Sequence, residues 1–520
     1  MRKFAGNSLH SAIAGLATVF ASFVSGVIVA NILGVEDAGL VAFAVWIALI
    51  VAPVIDGGTA LCAGRFPADL RGQRDDVAAH ALPGMLARRL FLYNVLAGAA
   101  LVLLHVWGMD GPDARSGLPG ALTANIPDSL LVIVAALTSL QSLAMFGTAH
   151  LRGSQKFRTL AALTFVSMAT QIACVYAGAR LHGVSGAVAG YAAGQALLAL
   201  TTLGLLWRPG RISPALARDV GRYGRFSWAA NVCNTFVWSR IEILFLQVFW
   251  GYREVGWFSV ALALSGLASQ GPLLLTGAFL PMFAQKHGQA DQAGLQSAFS
   301  SGTRVLAMLA FPACFGMAAV VPVLVGLLYG PEFEPAVPAA IIISAAAAFT
   351  ITTVIGTHLV NALARSDFIF ASSLAGAILS GAAGFLLIPG FGLVGAAVSR
   401  AVVQLAMIGL GLWFITRRLK FSYPFSSLFR ILFAALVAAA IAFAIVTISR
   451  TLAGLLVAIL LSALVYVICL RLFGAAHADD ISLLRRLSAS LPRCLGRALD
   501  ALLSFVHPRS HRPLTFTPMR

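Results

Sequence analysis

The stretch LHSAIAGLATVFASFVSGVIVANILGVEDAGLVAFAVWIALIVAPVIDGGTALC, from Leu9 to Cys62, decides the fold. It holds two apolar runs, and a short acidic turn with Glu36 and Asp37 separates them. A helix rises 1.5 Å per residue, so about 20 apolar residues cross the hydrocarbon layer of a membrane, which is ~30 Å thick. We therefore predict a transmembrane helical hairpin. Its first run is longer than the apolar part of a signal peptide, and we expect it to remain as the first helix.

The same pattern continues along a chain of 520 residues, of which 59% are hydrophobic and 11% charged. A water-soluble domain of this composition would expose large apolar patches. The apolar windows predict an all-α polytopic membrane protein with about fourteen transmembrane helices. The predicted spans are Leu9–Leu33, Leu40–Cys62, Leu90–Trp107, Pro127–Gly147, Thr159–Ala179, Val184–Leu206, Phe226–Trp250, Gly256–Met282, Val305–Tyr329, Val337–Leu363, Phe368–Ile388, Leu393–Ile415, Ile431–Ser449 and Leu452–Leu470.

Basic residues set the orientation of these spans. Nearly all of the 36 Lys and Arg residues fall in alternate loops or in the tail, and the loops on the other side carry only Arg115, Arg180, Arg253 and Arg450. The positive-inside rule then predicts an inner-membrane protein with both termini in the cytoplasm. The net charge of +17 follows from this topology and from contact with anionic membrane lipids, so we predict no nucleic-acid partner. Apolar residues at helical spacing from Asp480 to Val506 predict an amphipathic helix in the tail.

Two pairs of similar segments indicate an internal repeat. LGVEDAGLVAFA begins at Leu33, and its counterpart WGYREVGWFSVA begins at Trp250, 217 positions later. GVSGAVAGYAAGQ begins at Gly183, and GLVGAAVSRAVVQ begins at Gly392, 209 positions later. Nearly equal offsets predict two homologous six-helix lobes of the same orientation. We predict lobes at residues 1–208 and 209–420, transmembrane helices 13 and 14 at 421–474, and a basic cytoplasmic tail with the amphipathic helix at 475–520.

These segments resemble the polysaccharide and oligosaccharide flippases of the multidrug, oligosaccharidyl-lipid and polysaccharide exporter superfamily. The resemblance extends over roughly residues 1–420. It is carried by the turn LGVEDAG, the DGG that begins at Asp56 with Arg65 after it, the stretch from Ser239 to Ala261, the pair Leu280-Pro281, and GFGLVGAAVS from Gly390. A basic residue often precedes the LG of the first turn in this family, and Asn31 stands there in this sequence.

The resemblance implies two lobes around a central cavity that opens alternately to each side of the membrane. The implied substrate is a lipid-linked oligosaccharide: undecaprenyl diphosphate that carries a repeat unit of O-antigen, capsule or exopolysaccharide. Such a repeat unit is flipped to the periplasmic leaflet for polymerisation, which makes polysaccharide polymerase and assembly proteins the expected partners. Coupling to an inward proton or sodium gradient is common in the superfamily.

Charged residues inside predicted spans are candidates for substrate contact, because an ionised group at a helix centre costs roughly 2.5–3.5 kcal/mol and needs a cavity or a partner. Arg240 is near the middle of its predicted span and Arg400 is about 12 Å below the outward end of its own. A guanidinium offers fixed donors to phosphate oxygens, so both are candidates for the diphosphate, with structural pairing or snorkelling as the alternatives. Gln195 and Gln404, matched across the repeat, are candidates for sugar hydroxyls or for tying helices together.

Asp56 and Glu242 are the acidic side chains placed well inside predicted spans, and they are the candidates for ion coupling. A polar residue that is hydrogen-bonded at a Gly-loosened helix is the alternative for Asp56. In one continuous helix Arg240 and Glu242 would point about 200° apart, which predicts that they do not pair with each other.

Other function classes remain as alternatives. A lipid-linked peptidoglycan precursor flippase and a cation-coupled multidrug antiporter are rival transporters. A membrane-embedded glycan polymerase or ligase is disfavoured, because the longest outward loop, roughly Gly108 to Ile126, has no pair of nucleophile and base. The cysteines are scattered, without CxxC or a histidine partner, so we predict neither a metal site nor a cofactor, and no enzyme activity.

Overall fold

The structure is a computed structural model of the chain. It describes residues 2–108, 128–208, 212–238 and 240–475, together with Gly210, His477, Asp480, Ile481 and Arg485. The outward loop at residues 109–126 and nearly all of the predicted amphipathic tail helix lie outside the described residues.

The described residues form α-helices joined by short turns, with no strand among them. We number the helices α1 Arg2–Leu33, α2 Val35–Asp56, α3 Thr59–Gly72, α4 Asp76–Gly108, α5 Asp128–Gly153, α6 Phe157–Leu206, α7 Pro214–Trp238, α8 Glu242–Trp250, α9 Tyr252–Leu274, α10 Phe279–Gly288, α11 Gln292–Leu328, α12 Ala336–Ala362, α13 Ser366–Trp413, α14 Phe425–Ile448 and α15 Leu452–Leu472.

Ten helices in the described part of the chain are long and apolar enough to cross a membrane. Two of them, α6 and α13, each contain two of the predicted spans. The predicted spans Leu90–Trp107 and Phe226–Trp250 fall on α4 and on α7 with α8. The prediction of an all-α polytopic membrane protein is confirmed.

The chain divides into two compact units. The first contains Met1–Leu274, Leu324–Ala346 and Arg365–Met407, and the second contains Leu275–Val323, Ala347–Ala364 and Ile408–Arg520. The lobe boundaries drawn from the sequence repeat stay a prediction.

Helix α6 is a helical hairpin that reverses at one glycine. Gly183 has φ 59° and ψ −135°, a backbone conformation that only glycine adopts readily. The two halves then lie so close that a Cβ at Gly186 would overlap the carbonyl of Gly178. Gly190 repeats this close approach four residues later, against the backbone of Val175, and a Cβ at Gly194 would overlap the side chain of Gln171. Small residues at this spacing let two membrane helices pack backbone to backbone.

The sequence repeat is matched by a repeated backbone conformation. Gly392, the counterpart of Gly183, has φ 51° and ψ −129° inside α13. Gly34 and Gly251, the counterparts in the other pair, have φ 81° with ψ −176° and φ 88° with ψ −173°. Each pair therefore has the same unusual conformation at equivalent places, as expected when two homologous segments fold alike.

The two repeated turns pack directly against each other in the first unit. A Cβ at Gly39 on α2 would overlap the carbonyl of Tyr252, and a Cβ at Gly256 on α9 would overlap the carbonyl of Val35. The side chain of Phe43 is fully buried beside Tyr252 at a ring distance of 5.7 Å. Both glycines are therefore required by close backbone contact between α2 and α9.

Where a helix breaks or ends, side chains from other helices form hydrogen bonds with the backbone groups that lack a partner within the helix. Trp228 donates its indole N–H to the carbonyls of Pro53 and Val54, at the C-terminal end of α2. Asn31 donates to the carbonyl of Leu328, the last residue of α11, at 2.7 Å. Such bonds are required because lipid offers no partner to a free peptide group.

The break in α13 is bonded on both of its sides. The indole of Trp250 donates to the carbonyl of Ile388 at 2.8 Å, before Gly392. The carboxylate of Glu254 accepts the backbone N–H of Leu393 at 3.0 Å, after that glycine. The donor side chain, Trp250, and the acceptor side chain, Glu254, both belong to the repeated turn at Trp250, so this turn fixes the reversal of α13.

Three spans predicted as continuous are interrupted in the structure. One of them, Gly256–Met282, contains a 3₁₀ turn at Leu275–Ala278. The span Leu40–Cys62 breaks at Gly57 and Gly58, which have φ 58° and 81°. The span Phe226–Trp250 breaks between Trp238 and Glu242, where Arg240 has φ 64°. A left-handed residue cannot continue a right-handed helix, and apolar windows do not detect it.

The second unit is organised around α11 and the end of the chain. Arg304 on α11 forms two hydrogen bonds with the carboxylate of Asp480, at 2.8 and 2.7 Å. The pair is buried, with side-chain exposures of 10% and 0%. Asp480 also accepts the backbone N–H of His477, and Tyr466 on α15 donates to the carbonyl of Met308 at 2.8 Å. These bonds attach α15 and the residues after it to α11.

We expect Gly256→Ala to lower the thermal stability of the purified protein, because the added methyl group forces α2 and α9 apart at a cost of about 1–3 kcal/mol. Gly266→Ala on the same helix is the matched control, since a Cβ there has no atom within 4 Å. The control should be neutral or slightly stabilising through its better helix propensity. Thermal unfolding in detergent measures both, and equal effects would contradict the packing.

We expect Asp480→Asn to destabilise the protein by about 3–5 kcal/mol, because it leaves the Arg304 guanidinium buried without its counter-charge. Asp367→Asn is the control, since its partner Arg365 and Asp367 itself are 41% and 64% exposed. Exposed pairs contribute at most about 1 kcal/mol, so this variant should unfold near the wild-type temperature. A similar small shift for both variants would rule out a stabilising role for the buried pair.

Candidate functional site

The charged residues singled out from the sequence meet at the break between α7 and α8. Arg240 lies in this break, and its backbone carbonyl accepts the N–H of Ile243 at 3.0 Å. Glu242 is the first residue of α8 and is 5% exposed. The prediction that Arg240 and Glu242 point about 200° apart assumed one continuous helix. No continuous helix joins the two residues in the structure.

Glu242 forms its ion pair with Arg400 on α13. Arg400 Nη1 lies 3.5 Å from Glu242 Oε2, and the two side chains are 15% and 6% exposed. Arg240 interacts electrostatically with both of them. The structure therefore brings together three of the six predicted site residues, from positions 158 residues apart in the chain.

This group, which we call the Arg240 cluster (Arg240, Glu242 and Arg400), carries two positive charges and one negative charge. Burial weakens the screening by water, so each charge acts more strongly on its neighbours than it would in solution. Glu242 neutralises one guanidinium and leaves an excess of one positive charge. The cluster therefore favours an anion beside it and disfavours a cation.

Uncommitted polar atoms lie next to Arg400 on α13. Gln404 is one helical turn further on, and its buried Oε1 has no hydrogen-bond partner in the part of the chain that the structure describes. The buried Oγ of Ser399 also has no hydrogen-bond partner among the described residues. Buried polar atoms are nearly always bonded, so these two atoms are available to a ligand or to water. Gln195 is half-buried on α6, and its predicted role stays a prediction.

Asp56 is fully engaged in capping α3. Its Oδ1 accepts from Thr59 Oγ1 at 2.7 Å and from the backbone N–H of Ala60 at 2.9 Å, and its Oδ2 accepts from the N–H of Gly58 at 3.1 Å. The carboxylate is 4% exposed. It therefore acts as the N-cap partner across the Gly57–Gly58 break. Among the described residues no hydrogen bond or ion pair joins it to the Arg240 cluster.

A cavity that the sequence did not predict lies beside the Gly57–Gly58 break between α2 and α3. It has a volume of about 670 Å³ and is lined by the turn at Gly57, by α4 and by the first turns of α7. Four arginines line it: Arg89, Arg218, Arg222 and Arg225. Arg218, Arg222 and Arg225 are spaced by four and three residues, so they share one helix face. That spacing was visible in the sequence, but all inward arginines had been assigned to membrane topology.

Comparisons with known proteins agree with this architecture and composition. The profile of a family described as polysaccharide biosynthesis protein matches residues 118–338, a segment that includes Arg240 and Glu242. A probable low-salt glycan biosynthesis flippase of Haloferax volcanii, Agl15, is 23% identical over 278 residues. That match spans 52% of this chain and 58% of the relative.

The fold is that of known transporters. The lipid II flippase MurJ in an inward closed conformation superposes with a TM-score of 0.70 at 13% identity, over 90% of this chain and 98% of MurJ. At this identity the match shows a shared fold. An inward-facing multidrug resistance MATE transporter of the multidrug, oligosaccharidyl-lipid and polysaccharide exporter superfamily superposes with a TM-score of 0.61 at 14% identity, over 78% of this chain and 96% of the transporter. The resemblance to the polysaccharide flippases of this superfamily is confirmed.

We expect Glu242→Gln to destabilise the protein, because it leaves two largely buried arginines without a carboxylate. Adding Arg400→Gln should recover part of the loss, since the double variant removes one of the two like charges. Residues in direct contact typically show a coupling of about 0.5–3 kcal/mol. Thermal unfolding of the two single variants and of the double variant gives this coupling.

Glu36→Gln is the control, because Glu36 is exposed in the first turn of α2. Strictly additive effects of Glu242→Gln and Arg400→Gln would show that the two side chains do not pair.

Proposed function

We propose that the chain is a flippase for lipid-linked oligosaccharides. It moves undecaprenyl-diphosphate-linked repeat units from the cytoplasmic to the periplasmic leaflet by alternating access, for the biosynthesis of O-antigen, capsule or exopolysaccharide. In this proposal the protein acts as a transporter of the bacterial inner membrane and catalyses no covalent step. Polysaccharide polymerase and assembly proteins would receive the flipped unit.

The observation that carries this proposal is the excess positive charge of the buried Arg240 cluster. A guanidinium within the membrane-spanning part of a protein is costly unless an anion, a polar group or water solvates it. A diphosphate supplies anionic oxygens in the geometry that guanidinium groups bond. The adjacent Gln404 Oε1 and Ser399 Oγ offer acceptors to sugar hydroxyls. The matched family profile and the relative named as a glycan flippase support the same class of cargo.

The same charge argues against the multidrug antiporter alternative, whose cargo is typically cationic. A lipid-linked peptidoglycan precursor shares the diphosphate, so the Arg240 cluster alone does not distinguish it from an oligosaccharide repeat unit. The architecture shared with MurJ keeps this second candidate in the test. The proposal also assigns ion coupling to Glu242, which is part of the cluster, and to Asp56.

The test is transport by the purified chain in proteoliposomes under an imposed proton or sodium gradient. Three substrates are compared: a fluorescent polyprenyl-diphosphate oligosaccharide, a lipid-linked peptidoglycan precursor and a cationic drug. We expect the oligosaccharide lipid to move, and we expect Arg240→Gln and Arg400→Gln each to slow it by about tenfold or more, since a charge-assisted bond contributes about 1.5–3 kcal/mol. Arg180→Gln is the control, because Arg180 is exposed at the outward turn of α6.

Movement of the drug alone would replace this proposal with the antiporter, and movement of the peptidoglycan precursor alone would replace it with the second flippase. Ion coupling is tested in the same vesicles. Glu242→Gln and Asp56→Asn, normalised to folded protein, should lose the dependence of the rate on the gradient. Transport that remains gradient-dependent in both variants would exclude these carboxylates as the coupling groups.

A further inference from the structure

The arginine-lined cavity has the features of a preformed binding site. Its volume of about 670 Å³ is within the range of ligand pockets, roughly 300–1,000 Å³. Its walls are fixed by contacts between α7 and the α2–α3 break. Trp228 bonds Pro53 and Val54, Cys62 Sγ donates to the Val220 carbonyl at 3.6 Å, and a Cβ at Gly58 would overlap the carbonyl of Gly224.

Positive charge in this cavity exceeds negative charge by a wide margin. Asp219 pairs with Arg222 at 3.3 Å, and it is the acidic residue among those that line the cavity. Arg89, Arg218 and Arg225 add three further guanidinium groups. Like charges one turn apart destabilise a helix, so the stripe on α7 works against the stability of the free protein. An anion in the cavity would remove this repulsion.

The charge comes from the arginines and not from the nearby helix end. The N-terminus of α3 borders the cavity through Gly57, Gly58 and Thr59. Its amides at Gly58 and Ala60 already donate to Asp56, as does the Thr59 hydroxyl. Arginine is suited to phosphate because its planar group can donate two parallel hydrogen bonds.

The cavity also lies where lipid headgroups are expected. Arg225 directly precedes the predicted span Phe226–Trp250, and Arg89 directly precedes the predicted span Leu90–Trp107, both at their cytoplasmic ends. Tyr93 lines the cavity, and Phe226, which directly follows Arg225 in the sequence, is 74% exposed. Aromatic residues of this kind are typical of the level of lipid headgroups.

We propose that this cavity binds the diphosphate headgroup of a polyprenyl-linked saccharide at the cytoplasmic face, before the cargo reaches the Arg240 cluster. This inference rests on the proposed function and extends it with an entry site. Three arginines without a carboxylate partner in the cavity suit two adjacent phosphates better than the single phosphate of a common anionic lipid. The cavity therefore selects for the diphosphate over phosphatidylglycerol.

The test measures binding by the full chain in nanodiscs of phosphatidylcholine. The probes are a fluorescent polyprenyl-diphosphate saccharide, phosphatidylglycerol, and inorganic pyrophosphate as a competitor. The cavity variant combines Arg89→Gln with Arg218→Gln, two of the arginines that have no carboxylate partner in the cavity. The control variant combines Arg158→Gln with Arg417→Gln, two exposed arginines outside the cavity, so that both variants lose the same charge. Size-exclusion chromatography and the thermal midpoint verify that each variant is folded.

We expect the cavity variant to bind the diphosphate lipid about tenfold more weakly or worse, while the control variant binds it like the wild type. Pyrophosphate should compete in the wild type, and phosphatidylglycerol binding should be unchanged in both variants. Unchanged binding of the diphosphate lipid in the cavity variant would overturn the proposal. Equal weakening for phosphatidylglycerol would also overturn it, because the cavity would then be a general site for anionic lipids.

Flipping by the wild-type chain is measured separately in proteoliposomes. If the wild-type chain flips the saccharide lipid and the cavity variant still binds this lipid with unchanged affinity, the entry site alone is overturned. A chain that flips neither lipid-linked cargo overturns the proposed function.

Discussion

Hydrogen bonding of the backbone in a medium without water is the constraint on which the structure depends. A straight helix meets it within its own length, but this chain breaks or reverses its helices at several places. Three breaks in the first unit coincide with bonds from another helix: Trp228 at the end of α2, Asn31 at the end of α11, and Trp250 with Glu254 around Gly392. Side chains of this kind therefore determine where a helix can end and which helices must be neighbours.

The same medium explains why the charges are concentrated at one break. A carboxylate and a guanidinium inside a membrane each need a partner, and Glu242 with Arg400 supplies one pair. Arg240 adds a second guanidinium beside this pair, and its backbone is left-handed, with φ 64°. Strained or non-helical residues with charge often occur where a protein handles a ligand. This links the local geometry to the anionic cargo that we propose.

Much of the fold could be predicted from the sequence, because hydrophobic length and the spacing of glycines are local properties. The repeated turns at Gly34 and Gly251 and the repeated reversals at Gly183 and Gly392 appear in the sequence as two similar pairs. The breaks at Gly57 and Arg240 were missed, since an apolar window averages over the few residues that leave the helix. The pairing of Glu242 with Arg400 depends on two segments 158 residues apart, which periodicity does not reveal. The arginine stripe on α7 is present in the sequence, but the positive-inside rule accounts for inward arginines whatever their spacing, so the stripe did not predict a site.

The buried pair between Arg304 and Asp480 has a practical consequence for work on this protein. Hydropathy alone would suggest that the membrane domain ends with α15 at Leu472, and a shortened chain for crystallisation would then be cut soon after that residue. Such a cut removes the carboxylate that neutralises a guanidinium inside the second unit. A shortened chain should therefore retain Asp480 and the turn at His477 that holds it.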